Sequence, residues 1–130
     1  MESPSILIDT SVLIDYFRKK NKENSLLYKI SLKHSLAVST ITEFEFFVGL
    51  SEKHLEFTSR LFETFLVLPF DSKCAKIASG IYKKLKSKNK LISPSDIFIA
   101  ATAMSHDLRL VTFNSKHFER IHNLKQMKIE

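Results

Sequence analysis

Three carboxylates, Asp9, Glu45 and Asp96, each stand where a short apolar run gives way to a helical pattern. Brought together, three carboxylates repel one another and raise each other's pKa unless a cation sits between them. An all-oxygen donor set suits a hard ion such as Mg²⁺ or Mn²⁺ better than zinc. A cation held in such a site lowers the pKa of bound water and neutralises negative charge that develops on a substrate's oxygens. Each acid also has a plainer reading. Asp9 can cap the helix that follows it, although Thr10 and Ser11 already offer capping oxygens. Glu43 falls in a first helical turn, where the helix dipole accounts for it. Asp96 is also a first-turn acid, after Ser93 or Ser95. Glu45 lies among Phe44, Phe46, Phe47 and Val48, which disfavours a purely solvated position.

The elements that must position these acids alternate in type. Ser5 to Ile8 reads as a buried parallel strand that stops at Asp9. Thr10 or Ser11 then caps a helix with Val12, Leu13, Tyr16 and Phe17 on its apolar face. A charged stretch from Arg18 to Asn24 leads to a second amphipathic helix through Leu26, Leu27 and Ile30. Leu36 to Val38 is a second strand, and Ser39 or Thr40 caps a helix from about Thr42 to Ser51. Lys53 to Phe65 reads as another helix, Leu66 to Leu68 as a third strand stopped by Pro69. Asp71 or Ser72 caps a long helix through Lys86. Pro94-Ser95-Asp96 opens an apolar helix, Ile97 to Met104, and Arg109 to Thr112 is a fourth strand. A turn around Lys116 to Ile121 precedes a last edge strand near Met127 to Ile129. The alternation predicts an α/β fold, a mostly parallel sheet of four to five strands covered on both faces. In such sheets ligands bind beyond the carboxyl ends of the strands, where strand order reverses. Asp9 is placed to face that crevice.

The bulk composition agrees. The 130 residues suffice for one domain, 1–130, with one core. Two glycines and three prolines leave little material for tight hairpins, against an all-β sandwich. The net charge of +6 suits a polyanionic partner such as nucleic acid, or else solubility alone. Cys74 is the single cysteine, so an intramolecular disulfide and a cysteine zinc site are excluded; it reads as a small core residue. No apolar window reaches membrane-spanning length, and Met1 to Asp9 has no basic leader pattern, so a soluble, cytoplasmic protein is expected.

Four segments, in order along the chain, resemble the motifs of PIN domains. Ile8-Asp9-Thr10-Ser11-Val12-Leu13-Ile14-Asp15 looks like the opening motif, and Glu45-Phe46-Phe47-Val48-Gly49 is similar to the second. Ser95-Asp96-Ile97-Phe98-Ile99-Ala100-Ala101-Thr102-Ala103 resembles the third. Leu110-Val111-Thr112-Phe113-Asn114-Ser115-Lys116-His117-Phe118 resembles the fourth. Size and motif wording look most like the VapC toxins of bacterial and archaeal toxin–antitoxin pairs. The resemblance implies a three-layer α/β/α PIN-like fold and a ribonuclease dependent on Mg²⁺ or Mn²⁺, with Asp9, Glu45 and Asp96 as the metal-binding acids. Thr10, Ser11, Thr112 and Asn114 would orient those ligands or the scissile phosphate. One departure stands out. Many relatives carry an Asp in the fourth motif where this chain has His117, so a full second metal site is in question. His117 is left as a metal ligand, a phosphate contact or an ordinary surface histidine. Asp15 is expected to pair at the surface.

The same resemblance implies an RNA substrate, a VapB-like antitoxin covering the acidic pocket, and a homodimer. The aromatic-rich helices from Thr42 to Phe65 offer apolar surface for pairing, or else belong to the core. Arg18-Lys19-Lys20 and the lysines from Lys83 to Lys90 are candidates to guide an RNA backbone. A haloacid-dehalogenase-like phosphatase would need a second Asp two residues after Asp9, where Ser11 stands. A receiver domain would need a pair of early acids and a later Lys after a strand. The competing reading is a PIN-fold module that binds RNA or protein without cutting.

Overall fold

Apolar runs that end in a carboxylate, a hydroxyl or a proline become the four strands of one sheet. The computed structural model describes residues 6–129; Ser5, the expected start of the first strand, lies outside them. The strands are β1 (Ile6–Ile8), β2 (Leu36–Ser39), β3 (Leu66–Leu68) and β4 (Arg109–Val111). They lie in the order β3-β2-β1-β4, and every pairing is parallel. Successive crossovers run outward from β1 through β2 to β3, and the chain then returns to place β4 on the other side of β1. The reversal therefore falls between β1 and β4, with Asp9 just beyond one strand and Thr112 just beyond the other.

The helices are α1 (Thr10–Arg18), α2 (Leu26–Ser31), α3 (Thr40–Val48), α4 (Leu55–Glu63), α5 (Ser72–Ser87), α6 (Pro94–Ser105) and α7 (Ser115–Phe118). The two-residue period of the strands divides them between two layers. Ile6, Ile8, Leu36, Val38 and Val111 pack with Val12 and Leu13 of α1, Leu27 and Ile30 of α2, Phe46 of α3 and Phe62 of α4. Leu7, Ala37, Leu68 and Leu110 face the opposite way, onto α5, α6 and Phe118 of α7. This is the three-layer α/β/α arrangement. Truncating one of these fully buried leucines or isoleucines to alanine costs about 2–5 kcal/mol. In α6 small residues admit a close approach: Ala100, Ala101 and Ala103 are all fully buried. Ser93 caps that helix by accepting the Asp96 N–H, and Pro94 sits at its first turn.

Several boundaries differ from the sequence expectation. Asp9, not Thr10 or Ser11, occupies the N-cap position of α1, since Thr10 is already helical. Ser39 caps the third helix through the Thr42 N–H, so it starts at Thr40 and ends before Gly49, rather than running from Thr42 to Ser51. The expected helix from Lys53 to Phe65 is a 3-10 turn over Glu52–His54 followed by α4. Among the phenylalanines from Thr42 to Phe65, Phe46 and Phe62 are buried, whereas Phe44 and Phe57 are exposed. The expected edge strand near Met127 to Ile129 reduces to one parallel bridge between Gln126 and Leu110. The Leu110 N–H donates to the Lys125 carbonyl and the Met127 N–H to that of Leu110, so the segment shields the outer edge of β4. Met127 packs inward against the α1–α2 layer, which is what its apolar character serves.

Candidate active site

Asp9 is drawn to the crevice by β1, whose ladder continues one step further: the Asp9 N–H donates to the Val111 carbonyl at 3.0 Å. The residue is 2% exposed, yet its side chain makes no capping bond to α1. Its oxygen Oδ2 instead accepts the Thr112 hydroxyl at 2.6 Å and the Ser11 hydroxyl at 3.0 Å. Those hydroxyls are themselves tied down. The Phe113 N–H donates to Ser11 Oγ at 3.1 Å and the Asn114 N–H to Thr112 Oγ1 at 2.9 Å. One carboxylate oxygen is thus fixed by two hydroxyls, while Oδ1 has no hydrogen-bond partner among the described residues.

Glu45 has a separate grip. Thr10 Oγ1 donates to its Oε1 at 2.8 Å and lies 3.1 Å from Thr42 Oγ1. Thr42 is buried and reaches Ser39 at 3.4 Å, so hydroxyls from the ends of β1 and β2 converge on the second acid. Thr42 and Ser39 were not among the residues expected at the site. Their signal was present in Ser39-Thr40-Ile41-Thr42, which repeats after β2 the hydroxyl-rich strand end found at Asp9-Thr10-Ser11.

Asp96 lies in the first turn of α6 with its side chain 18% exposed. Burial pushes its carboxyl above the ordinary carboxylate value and the negative charge of Asp9 pushes it further. Hydrogen bonding to Ser93 and the charge of His117 pull the other way, and Glu45 adds a smaller upward push. These influences put all three acids in one electrostatic neighbourhood. His117 is not remote from it: its Nδ1 lies 3.8 Å from Asp96 Oδ2, with the imidazole 55% exposed. Asn114 sits at the N-cap of α7 without a side-chain capping bond. Asp15 stands apart. It accepts the Leu26 N–H at 3.2 Å, tying α1 to the start of α2, and lies 3.7 Å from Lys19, so its surface pairing is only part of its role.

The donor chemistry fits a hard divalent cation: carboxylate oxygens, among them the unpartnered Oδ1 of buried Asp9, around an acid that mutual repulsion and burial make reluctant to ionise. Among the described residues no group of three or more His, Cys, Asp or Glu side chains is already closed into a cage. Repulsion between like charges accounts for an open arrangement.

Comparison with known proteins agrees with this fold. The PIN domain family matches residues 6–124. Ribonuclease VapC1 of Methanocaldococcus jannaschii is 40% identical over 121 residues, covering 92% of this chain and 83% of the relative. A tRNA(fMet)-specific endonuclease VapC of Shigella flexneri is 28% identical over 125 residues, covering 92% and 93% of the two chains. Among solved structures, DNA-bound VapBC from Salmonella typhimurium superposes with a TM-score of 0.84 at 25% identity, over 96% of this chain and 98% of that one. With the four motifs in order, the strand reversal at Asp9 and these relatives, the chain belongs to the PIN domain family and stands there with the VapC ribonucleases of toxin–antitoxin pairs.

Proposed function

We propose that this VapC-type endoribonuclease hydrolyses RNA phosphodiester bonds with a divalent metal, Mg²⁺ or Mn²⁺, held by Asp9, Asp96 and Glu45. The observation that carries the reading is Asp9: a carboxylate 2% exposed, unused as a cap, fixed through one oxygen and open at the other. Helix capping does not explain that arrangement; ligand orientation does. When bound, the metal lowers the pKa of its water and offsets charge developing on phosphate oxygens. The chain's own residues do the rest. Thr112 and Ser11 fix the rotamer of Asp9, Thr10 fixes Glu45, and Asn114 and His117 lie at the rim where a scissile phosphate would approach. No catalytic serine or cysteine is required.

Replacing Asp9 or Asp96 by Asn is expected to abolish RNA cleavage in Mg²⁺ or Mn²⁺, and EDTA is expected to do the same to the native chain. Cleavage unchanged in either variant would overturn the carboxylate assignment. RNA binding without cleavage in any metal would favour the non-catalytic module.

The same reading takes 1–130 as one domain acting in the cytoplasm on RNA, restrained by a VapB-like antitoxin. Among the described residues no helix is long and apolar enough to cross a membrane. A homodimer would use the exposed apolar side chains of the α3–α4 region, Phe44, Val48, Leu55 and Phe57. Light scattering on the native chain and on a Phe44→Glu variant tests it: a monomer in both would remove the dimer from the proposal.

A further inference from the structure

Phe113 is the apolar residue of the fourth motif that neither the core nor the carboxylates use. Leu110 and Val111 before it are fully buried and Thr112 nearly so, but the Phe113 ring is 48% exposed. Its backbone is held with the same parts as the metal-binding acid: its N–H bonds Ser11, which bonds Asp9, and the next N–H bonds Thr112, which also bonds Asp9. The ring position is therefore tied to Asp9 through single hydroxyl bridges. It also forms the wall shared by two clefts. One, of about 460 Å³, is lined by Phe113, Ser11, Ile14, Asp15, Arg18 and Lys19. The other, of about 400 Å³, runs from Thr112 and Phe113 to Gln126, Met127 and Lys128. Both volumes fall in the range of small-ligand clefts.

Along α1, Ser11, Ile14 with Asp15, and Arg18 recur at the spacing of one helical face. That face leads from the Asp9 end of the helix to an exposed Arg18, about 10 Å along the axis. Lys19 is engaged by Asp15, whereas Arg18 has no ion-pair partner among the described residues. An exposed aromatic ring beside the reacting phosphate, with a cation further along the same cleft, is the arrangement that takes an unpaired base and its flanking phosphate. Every base offers a π-face to such a ring, and RNA bases are presented this way in loops and single strands.

We propose that Phe113 is a stacking platform for the RNA base next to the scissile phosphate, with Arg18 receiving the phosphate beyond it. This rests on the nuclease reading above and adds a substrate requirement: the base beside the cut must be unpaired.

The chain has no tryptophan, so Phe113→Trp installs a single reporter at the platform. Without divalent metal, titration of this variant with single-stranded oligoribonucleotide is expected to quench its fluorescence, while the same sequence in a duplex does not. By fluorescence anisotropy, Phe113→Ala is expected to weaken binding of the single strand about 5- to 100-fold, the loss that one base–aromatic stack represents. Phe113→Leu should resemble Ala, and Phe113→Trp should resemble the native chain. Arg18→Gln should weaken binding and flatten its salt dependence. Circular dichroism of the Phe113→Ala variant separates loss of stacking from loss of fold. Native-like RNA affinity in Phe113→Ala, or a tryptophan signal indifferent to single-stranded RNA, overturns the platform. A Phe113→Ala variant that loses affinity for the antitoxin but not for RNA overturns it too, and makes the ring a protein contact. Quenching and weakened binding in a chain that cuts no RNA would leave the platform standing and remove the nuclease reading instead.

Discussion

Asp9 and Asp96 face one crevice from different supports. Asp9 is almost wholly buried, follows β1, and has one oxygen clamped by hydroxyls from α1 and from the end of β4. Asp96 rides the first turn of α6 with no hydroxyl clamp of that kind; its neighbours are the Ser93 cap and a half-exposed histidine. The first corner is preorganised: the geometry is set before any ligand arrives, and Asp9 has little left to adjust. The second is held mainly by helix geometry, and its charge is opposed by burial and by Asp9. A carboxylate site for a cation gains from both. A fixed acid sets the position, and an acid reluctant to ionise alone gives the cation something to stabilise.

The largest test of this contrast strikes the clamp. Thr112→Val keeps the side-chain shape and removes the 2.6 Å bond to Asp9. If Asp9 holds the proposed metal, the variant is expected to lower kcat/KM on a labelled oligoribonucleotide about 10- to 100-fold, the usual consequence of removing a group that orients a ligand. His117→Ala should cost less than Thr112→Val in the same assay; an equal or greater loss would show that the two corners are not built differently.

A second test reads charge. Folded Asp96 holds its proton more tightly than the unfolded chain does, because its pKa is raised above the ordinary 3.8. Stability from this group is therefore fully present below that value and is lost as pH rises through the raised one. Without metal, Asp96→Asn should melt above the native chain at neutral pH and equal it in acid. Mg²⁺ or Mn²⁺ should raise the native Tm and leave the variant's nearly unchanged. An Asp96→Asn melting point at or below the native one at neutral pH would contradict the direction of the shift. His117→Asp sharpens the point: a further acid beside Asp96 should lower metal-free stability and tighten metal binding measured by calorimetry.

The smallest effect is at Ser93. Ser93→Ala removes the α6 cap and is expected to cost about 1 kcal/mol in urea unfolding, with little change in cleavage. A large loss of cleavage would mean that α6 itself positions Asp96 through that cap.

What could be read before folding divides along physical lines. Two strand ends were legible because Ile8 to Asp9 and Leu68 to Pro69 each change from apolar to polar or unpairable in one step, whereas the fourth strand, expected to reach Thr112, stops at Val111. Asp9, Glu45 and Asp96 stood out in the sequence because acids at such ends are poor packing choices, and they share one electrostatic neighbourhood. The hydroxyl clamps were not. Thr10 with Thr42 and Thr112 with Asp9 join residues 32 and 103 positions apart, and no local pattern distinguishes a threonine that clamps from one that merely begins a helix. The meeting of His117 with Asp96 was hidden for the same reason. The last expected strand failed because alternation near Met127 reports burial, which one bridge and a packed side chain satisfy without a ladder.

The bond from Thr112 to Asp9 also sets an order of events. Asp9 precedes the threonine that clamps it by 103 positions, so the clamp is made long after the acid. Until Thr112 is in place, Asp9 has only the Ser11 hydroxyl of the pair to orient it. On the proposed reading, the acid that would hold the metal gains its full set of orienting bonds only when β4 arrives. Chains truncated before Arg109 should retain partial structure by circular dichroism and cleave no RNA.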